Sequence, residues 1–148
     1  MATIRGELHI AAPVDVVFDT VADTRNEPGY NPDMHDVELL TPEPVGRGSR
    51  FRALMGRAGT EMLVELVEYD RPHRLGSRTT SSLMDTSGGL TFRETADGTA
   101  MAWDWQVQPH GYLRLLGPLV GVIGARVERG IWGGLKSQLE GGRPSGSR

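Results

Sequence analysis

The sequence predicts an α+β fold: a curved antiparallel sheet of about six or seven strands wrapped around one long C-terminal helix, with two short helices after the first strand. Three observations carry that expectation. The chain opens on a strand-like alternation, and Pro13 starts a helical pattern directly after it. A long middle stretch, from Val37 to Val107, alternates with a period of two and is broken mainly by turn residues. Last comes an apolar stripe of Leu116, Val120, Ile123, Val127, Ile131, Leu135 and Leu139, spaced by three or four so that all seven share one helical face. A curved sheet closed over a helix leaves a space between them, so the pattern also predicts a cavity.

The first strand, residues 3 to 10, places Ile4, Leu8 and Ile10 on one face and Arg5, Glu7 and His9 on the other. Pro13 suits a first helical position, where its missing N–H costs nothing. Val14, Val17, Phe18 and Val21 follow at helical spacing, with Asp15 favoured in the first turn by the helix dipole. Asn31-Pro32-Asp33 is expected to open the second short helix by the same cap-then-proline logic. Strands are expected around Val37–Leu39, Phe51–Met55, Met62–Leu66 and Leu75–Leu83. Asp97-Gly98 is a hairpin turn between a strand with Leu90 and Phe92 and one in which Met101, Trp103, Trp105 and Val107 share a face. Pro109-His110-Gly111 ends the sheet, and the long helix runs from about Tyr112 to Leu139, with Pro118 kinking it or marking its true start.

Length and composition bound the function. A chain of 148 residues forms one domain here, residues 1–140, and Gly141 to Arg148 reads as a frayed tail with no apolar anchor. Twenty glycines fit a fold with many turns better than a helical bundle. The net charge of −3 gives no basic field for nucleic acid. The absence of cysteine excludes disulfides, thiolate nucleophiles and Cys-ligated metals. No basic segment leads into an apolar one at the N-terminus, and the apolar run Leu115–Ala125 contains Pro118 and is too short to span a bilayer. A cytoplasmic protein without membrane insertion is expected.

Four stretches carry a resemblance to a known family: Ile10-Ala11-Ala12-Pro13 leading through Val17-Phe18 to Asp23; Val45-Gly46-Arg47-Gly48-Ser49-Arg50-Phe51; Val67-Glu68-Tyr69-Asp70-Arg71-Pro72-His73-Arg74-Leu75; and Gly98-Thr99 before a Trp-containing strand. The ending Leu135-Lys136-Ser137-Gln138-Leu139-Glu140 fits as well. In this order they resemble the START-like (SRPBCC) superfamily, in its polyketide cyclase/dehydrase-like branch. The family often carries Trp-x-Pro where this chain has Tyr30-Asn31-Pro32. The resemblance implies a helix-grip fold with a mostly apolar cavity that binds lipids, sterols, quinones, plant hormones or polyketides, in some members with cyclisation and dehydration.

Candidate site residues follow from the inward faces. Trp103 and Trp105, flanked by Met101 and Val107, offer flat contacts and N–H donors to a planar or greasy ligand, or else fill the core against the helix. Phe51, Phe92, Met55 and Met62 share the predicted inner faces, and Leu116, Val120, Ile123 and Val127 face them from the helix. Ser77, Thr79 and Ser81 form either a polar rail inside the cavity or, in the opposite register, a water-facing stripe. Gly117, Gly121, Gly130 and Gly134 notch the long helix for close sheet contact or a ligand. Asp104 should point outward, within reach of Arg52 or Arg78. Gly46-Arg47-Gly48 reads as a turn rather than a phosphate loop. The four histidines show no metal spacing, and no cofactor is called for.

Three functions remain open at this point. The first is a binding module for a small hydrophobic molecule, motivated by inner faces that are almost wholly apolar or hydroxylic. The second is a polyketide cyclase, aromatase or dehydratase, for which His110, Tyr112, Tyr30 and Arg126 are the suppliers of a titratable group. The third is an interaction protein with a vestigial cavity, forming a homodimer through an exposed sheet edge.

Overall fold

The computed structural model describes residues 2–141. Seven strands form one antiparallel sheet: β1 (Ala2–Ile10), β2 (Met34–Leu39), β3 (Arg50–Met55), β4 (Thr60–Asp70), β5 (Arg74–Ser81), β6 (Met84–Thr95) and β7 (Gly98–Pro109). Their spatial order is β1-β7-β6-β5-β4-β3-β2, so β2 to β7 form a meander and β1 joins at its far edge. Helix α1 (Val14–Ala22) follows β1, and helix α2 (Leu119–Gly141) closes the fold. This is the α+β helix-grip architecture, with α2 lying across the inner face of the curved sheet. Of the expected tail, Gly141 is instead the last residue of α2, and residues 142–148 lie outside the described residues.

Alternation produces the sheet. Along β7, Met101, Trp103, Trp105 and Val107 are buried, while Asp104 and Gln108 point to water. The register pairs Gly6 with Trp103 and Arg5 with Asp104. Asp104 therefore forms its ion pair with Arg5, at 3.2 Å, and not with Arg52 or Arg78. Gly6 is required by packing: a Cβ there would run into the Trp103 indole. Bulges interrupt β2 between His35 and Glu38 and β4 between Leu66 and Glu68, each adding local twist.

Helix α1 covers one end of the sheet. Phe18 meets the Tyr69 and Phe92 rings edge-on at 5.2 and 5.3 Å, and Asp19 takes two hydrogen bonds from Arg71 at 2.7 Å. The second short helix differs from expectation. It is a 3-10 helix at Thr24–Gly29, ahead of Asn31-Pro32-Asp33. Asp23 caps it through the Arg25 amide, whereas Asn31 forms a turn that leads straight into β2, with Met34 N–H donating to its carbonyl.

The C-terminal half of α2 is tied to the end of β1. Lys136 donates to the His9 carbonyl at 2.8 Å, and the Ala11 amide donates to the Glu140 carboxylate at 2.7 Å. A 3-10 turn at Gly111–Leu116 precedes the helix, and Gly117, at φ 53°, separates the two. Helix α2 thus starts after Pro118, and Leu116 lies outside it. The apolar stripe does not face the sheet along its whole length. Val120 and Leu135 are buried, but Ile123 and Val127 are 51% and 52% exposed, because the helix's buried face is rotated about one residue toward Trp132.

Candidate functional site

A cavity of about 540 Å³ lies between the inner face of the sheet and α2. Its sheet wall is built from alternate residues of neighbouring strands: Met62, Val64 and Leu66 on β4, and Leu75, Ser77 and Thr79 on β5. Trp105 closes it on β7, and Val127, Ile131 and Trp132 close it on α2. The β3–β4 turn contributes Arg57 and Ala58, which are exposed and mark the mouth. Ser77 and Thr79 line the interior, as the inward register of the two expected has it, and Ser77 also borders the groove on the opposite face. Ser81 also lines the cavity, but its hydroxyl bonds the Met84 carbonyl and so belongs to the β5–β6 turn.

The interior is not apolar or hydroxylic throughout. Glu128 of α2 and Glu27 of the 3-10 helix both line it. One oxygen of Glu128, Oε1, accepts the indole N–H of Trp105 at 2.8 Å and that of Trp132 at 2.9 Å. The spacing of Glu128 and Trp132 (i, i+4) places them on one helix face, and β7 brings Trp105 across to meet them. Oε2 makes no hydrogen bond among the described residues. Glu27 Oε2 accepts from the Asn31 side-chain amide at 2.9 Å. Desolvation raises the Glu27 pKa to about 7, opposed by the Asn31 bond and reinforced by the negative charge of Glu128. Desolvation raises the Glu128 pKa as well, and its two indole bonds oppose the rise.

Tyr30 stands beside this pair. It is 4% exposed, its ring lies 6.0 Å from that of Trp132, and its hydroxyl is buried without a hydrogen-bond partner among the described residues. Burial holds its pKa well above the usual value, and the charges of Glu27 and Glu128 push the same way.

The remaining candidates divide. Trp105, Met62, Ser77, Thr79 and Val127 line the cavity, as does Met55. Trp103, Met101, Phe51, Phe92 and Val120 do not. Trp103 lies over Gly6 with its ring 6.1 Å from that of Trp132. Phe92 is used by α1, and Phe51 and Met101 are fully buried in the core. Leu116 and Ile123 are exposed on the turn and helix beyond the cavity. Among the titratable candidates, His110 pairs with Asp85 at 3.1 Å outside the lining, Tyr112 is 69% exposed, and Arg126 is exposed on α2. Only Tyr30 lies near the carboxylates.

Sequence reasoning missed Glu27, Glu128 and Trp132. The spacing Glu128-x-x-x-Trp132 and the spacing Glu27-x-x-x-Asn31 were the available signals. Both are short and ordinary.

A second groove, of about 970 Å³, lies on the opposite face of the sheet near Gly76, Gly88 and Gly89. Most of its charged groups are paired, Arg5 with Asp104, Arg74 with Glu68 and Glu7 with Arg93, and Arg78 stands exposed, so it reads as a solvated surface. No group of three metal-ligating side chains occurs among the described residues. No helix among them is long and apolar enough to cross a membrane.

A long helix gripped by a curved seven-stranded sheet, with a lined cavity between, defines the START-like class. Residues 1–140 match the family described as polyketide cyclase / dehydrase and lipid transport, and the chain belongs to it. Its fold is similar to a START superfamily protein from Mycobacterium smegmatis (15% identity, TM-score 0.81, covering 95% of this chain and 98% of that one). It is similar to TTHA0849 from Thermus thermophilus (19% identity, TM-score 0.79, 95% and 99%). It is also similar to DynU16, a protein of the dynemicin biosynthetic locus (22% identity, TM-score 0.71), where the match covers 98% of this chain but 49% of that one. No curated protein matches the chain.

Proposed function

We propose that the protein binds a small, mostly apolar molecule of the lipid, quinone or polyketide kind in the cavity under α2. The observation that carries this reading is the cavity itself. Its volume of about 540 Å³ falls within the usual range for small-molecule sites, and its walls are largely Met, Val, Leu, Ile and Trp. A cavity of this size also speaks against a vestigial pocket. The test is native mass spectrometry of freshly purified protein, with extraction of any passenger, followed by calorimetric titration with fatty alcohols, sterols, quinones and aromatic polyketides. A stoichiometric passenger, or uptake that Thr79→Trp abolishes by filling the cavity, is the expected result. A protein that is empty and takes up none of the panel overturns the reading.

The two carboxylates favour a second reading, catalysis of the cyclase or dehydratase kind. Desolvation raises the pKa of both groups, which suits them to proton transfer as well as to holding a ligand. Glu27, with a pKa of about 7, is able to give or take a proton near neutrality. Loss of turnover of a poly-β-ketone on Glu27→Gln, with binding retained, is the outcome that selects it. Equal turnover in the variant removes it.

A further inference from the structure

We propose that the Glu27–Glu128 end of the cavity selects its ligand by charge: it takes an apolar molecule bearing a protonated amine and discriminates against an anionic one. This rests on the binding reading above and names the ligand class for that same site.

The charge balance inside the cavity is one-sided. Its lining contains three acids, Glu27, Asp33 and Glu128, and one base, Arg57, which stands exposed at the mouth. An ionised ligand carboxylate at the inner end would meet two glutamates with no cation to pair with, in surroundings that already disfavour charge. An ammonium there would instead meet carboxylate oxygens with spare capacity. Glu128 spends only Oε1 on the indoles, and Glu27 spends only Oε2 on Asn31. Both side chains keep some accessible surface. The buried Tyr30 hydroxyl, which feels the charge of both glutamates, has no hydrogen-bond partner among the described residues, so nothing there neutralises them.

The two indole bonds have a second effect. They fix the Glu128 carboxylate on one face of α2, so the acceptor is preorganised before a ligand arrives. Glu27 is fixed likewise by Asn31. A ligand head group therefore meets two positioned acceptors rather than two mobile side chains.

The experiment is calorimetric titration with decylamine, decanol and decanoic acid at about pH 8 and below the micellar range, where the amine and the acid are both ionised. The amine is expected to bind at least about tenfold more tightly than the acid, with the alcohol between them. Glu27→Gln and Glu128→Gln keep the Asn31 bond and an indole bond respectively, so both variants should fold. Each should narrow the amine–acid gap, and the double variant should close it, while decanol binding stays within about threefold of wild type. An acid that binds as well as the amine overturns the proposal and leaves the binding reading standing. So does an amine preference that survives in the double variant. Failure of all three ligands to bind overturns the amine proposal, and the binding reading falls with it only if the sterol, quinone and polyketide panel is refused as well.

Discussion

Glu128 joins two tryptophans through one oxygen, and its replacement separates the bonds from the charge. Glu128→Leu strands two buried indole donors, each loss being worth about 1 kcal/mol or more, while relieving the desolvated carboxylate. A net loss of about 1–2 kcal/mol in urea denaturation is expected. Glu128→Gln keeps an acceptor in place and should lose less than about 1 kcal/mol. A leucine variant as stable as wild type would mean that the indole bonds contribute nothing. This group also shows why the site was the less legible part. Trp105 follows from alternation in β7, which any reading of the pattern reveals. Glu128 sits next to Val127, one residue off the apolar stripe, where an acidic side chain ordinarily faces water. Its inward direction depends on how far α2 is rotated, and tertiary contacts set that rotation. The same holds for Glu27, whose 3-10 helix has too few residues for a periodic signal.

At the scale of the element, two glycines of α2 make a matched comparison. A Cβ at Gly134 would come within 2.6 Å of the Tyr30 carbonyl oxygen, a backbone atom that cannot swing aside. A Cβ at Gly130 would meet nothing within 4 Å. Gly130→Ala should therefore stabilise the protein by about 1 kcal/mol through helix propensity alone. Gly134→Ala should destabilise it by about 1–3 kcal/mol despite the same propensity gain. Thermal unfolding of the two variants checks the sign, and equal shifts would mean that α2 does not approach the Tyr30 loop this closely. Strands and the long helix were readable because alternation and the three–four spacing persist over many residues. The second short helix was not, since Asn31-Pro32 suits a turn into a strand as well as a helix start. In the structure Asn31 donates its side-chain amide to Glu27, accepts the Asp33 N–H on its side-chain oxygen at 3.3 Å and accepts the Met34 N–H on its carbonyl, a turn after which the chain enters β2 and not a helix.

For the whole molecule, buried and exposed carboxylates act oppositely on stability. Glu27 has a folded pKa of about 7 against an ordinary 4.5, so the folded state holds a proton over that interval that the unfolded chain has released. Stability is therefore greatest below the unfolded value and falls as pH rises toward about 7, by up to about 3 kcal/mol from this group. Glu128 adds in the same direction. Asp19, Asp23, Glu68 and Glu140 are lowered chiefly by hydrogen bonds from Arg71, Arg25, Arg74 and Lys136. Their contribution is present above the ordinary carboxylate range and is lost on acidification; exposure keeps it small. The melting temperature should pass through a maximum near about pH 5 and decline toward pH 8. Glu27→Gln should flatten that decline. A decline unchanged in the variant would place the titrating group elsewhere.

The three tryptophans of the chain, Trp103, Trp105 and Trp132, lie close together where β7 meets α2, and two of them touch the same ionisable oxygen. The protein thus carries its own optical reporter. Protonating Glu128, or seating a cation against it, changes the field at two indoles at once, so emission should follow both pH and ligand without any added dye. In Glu128→Gln the pH-dependent part of that signal should vanish while the ligand-dependent part shrinks, which turns a spectrum into a readout of occupancy at a single carboxylate.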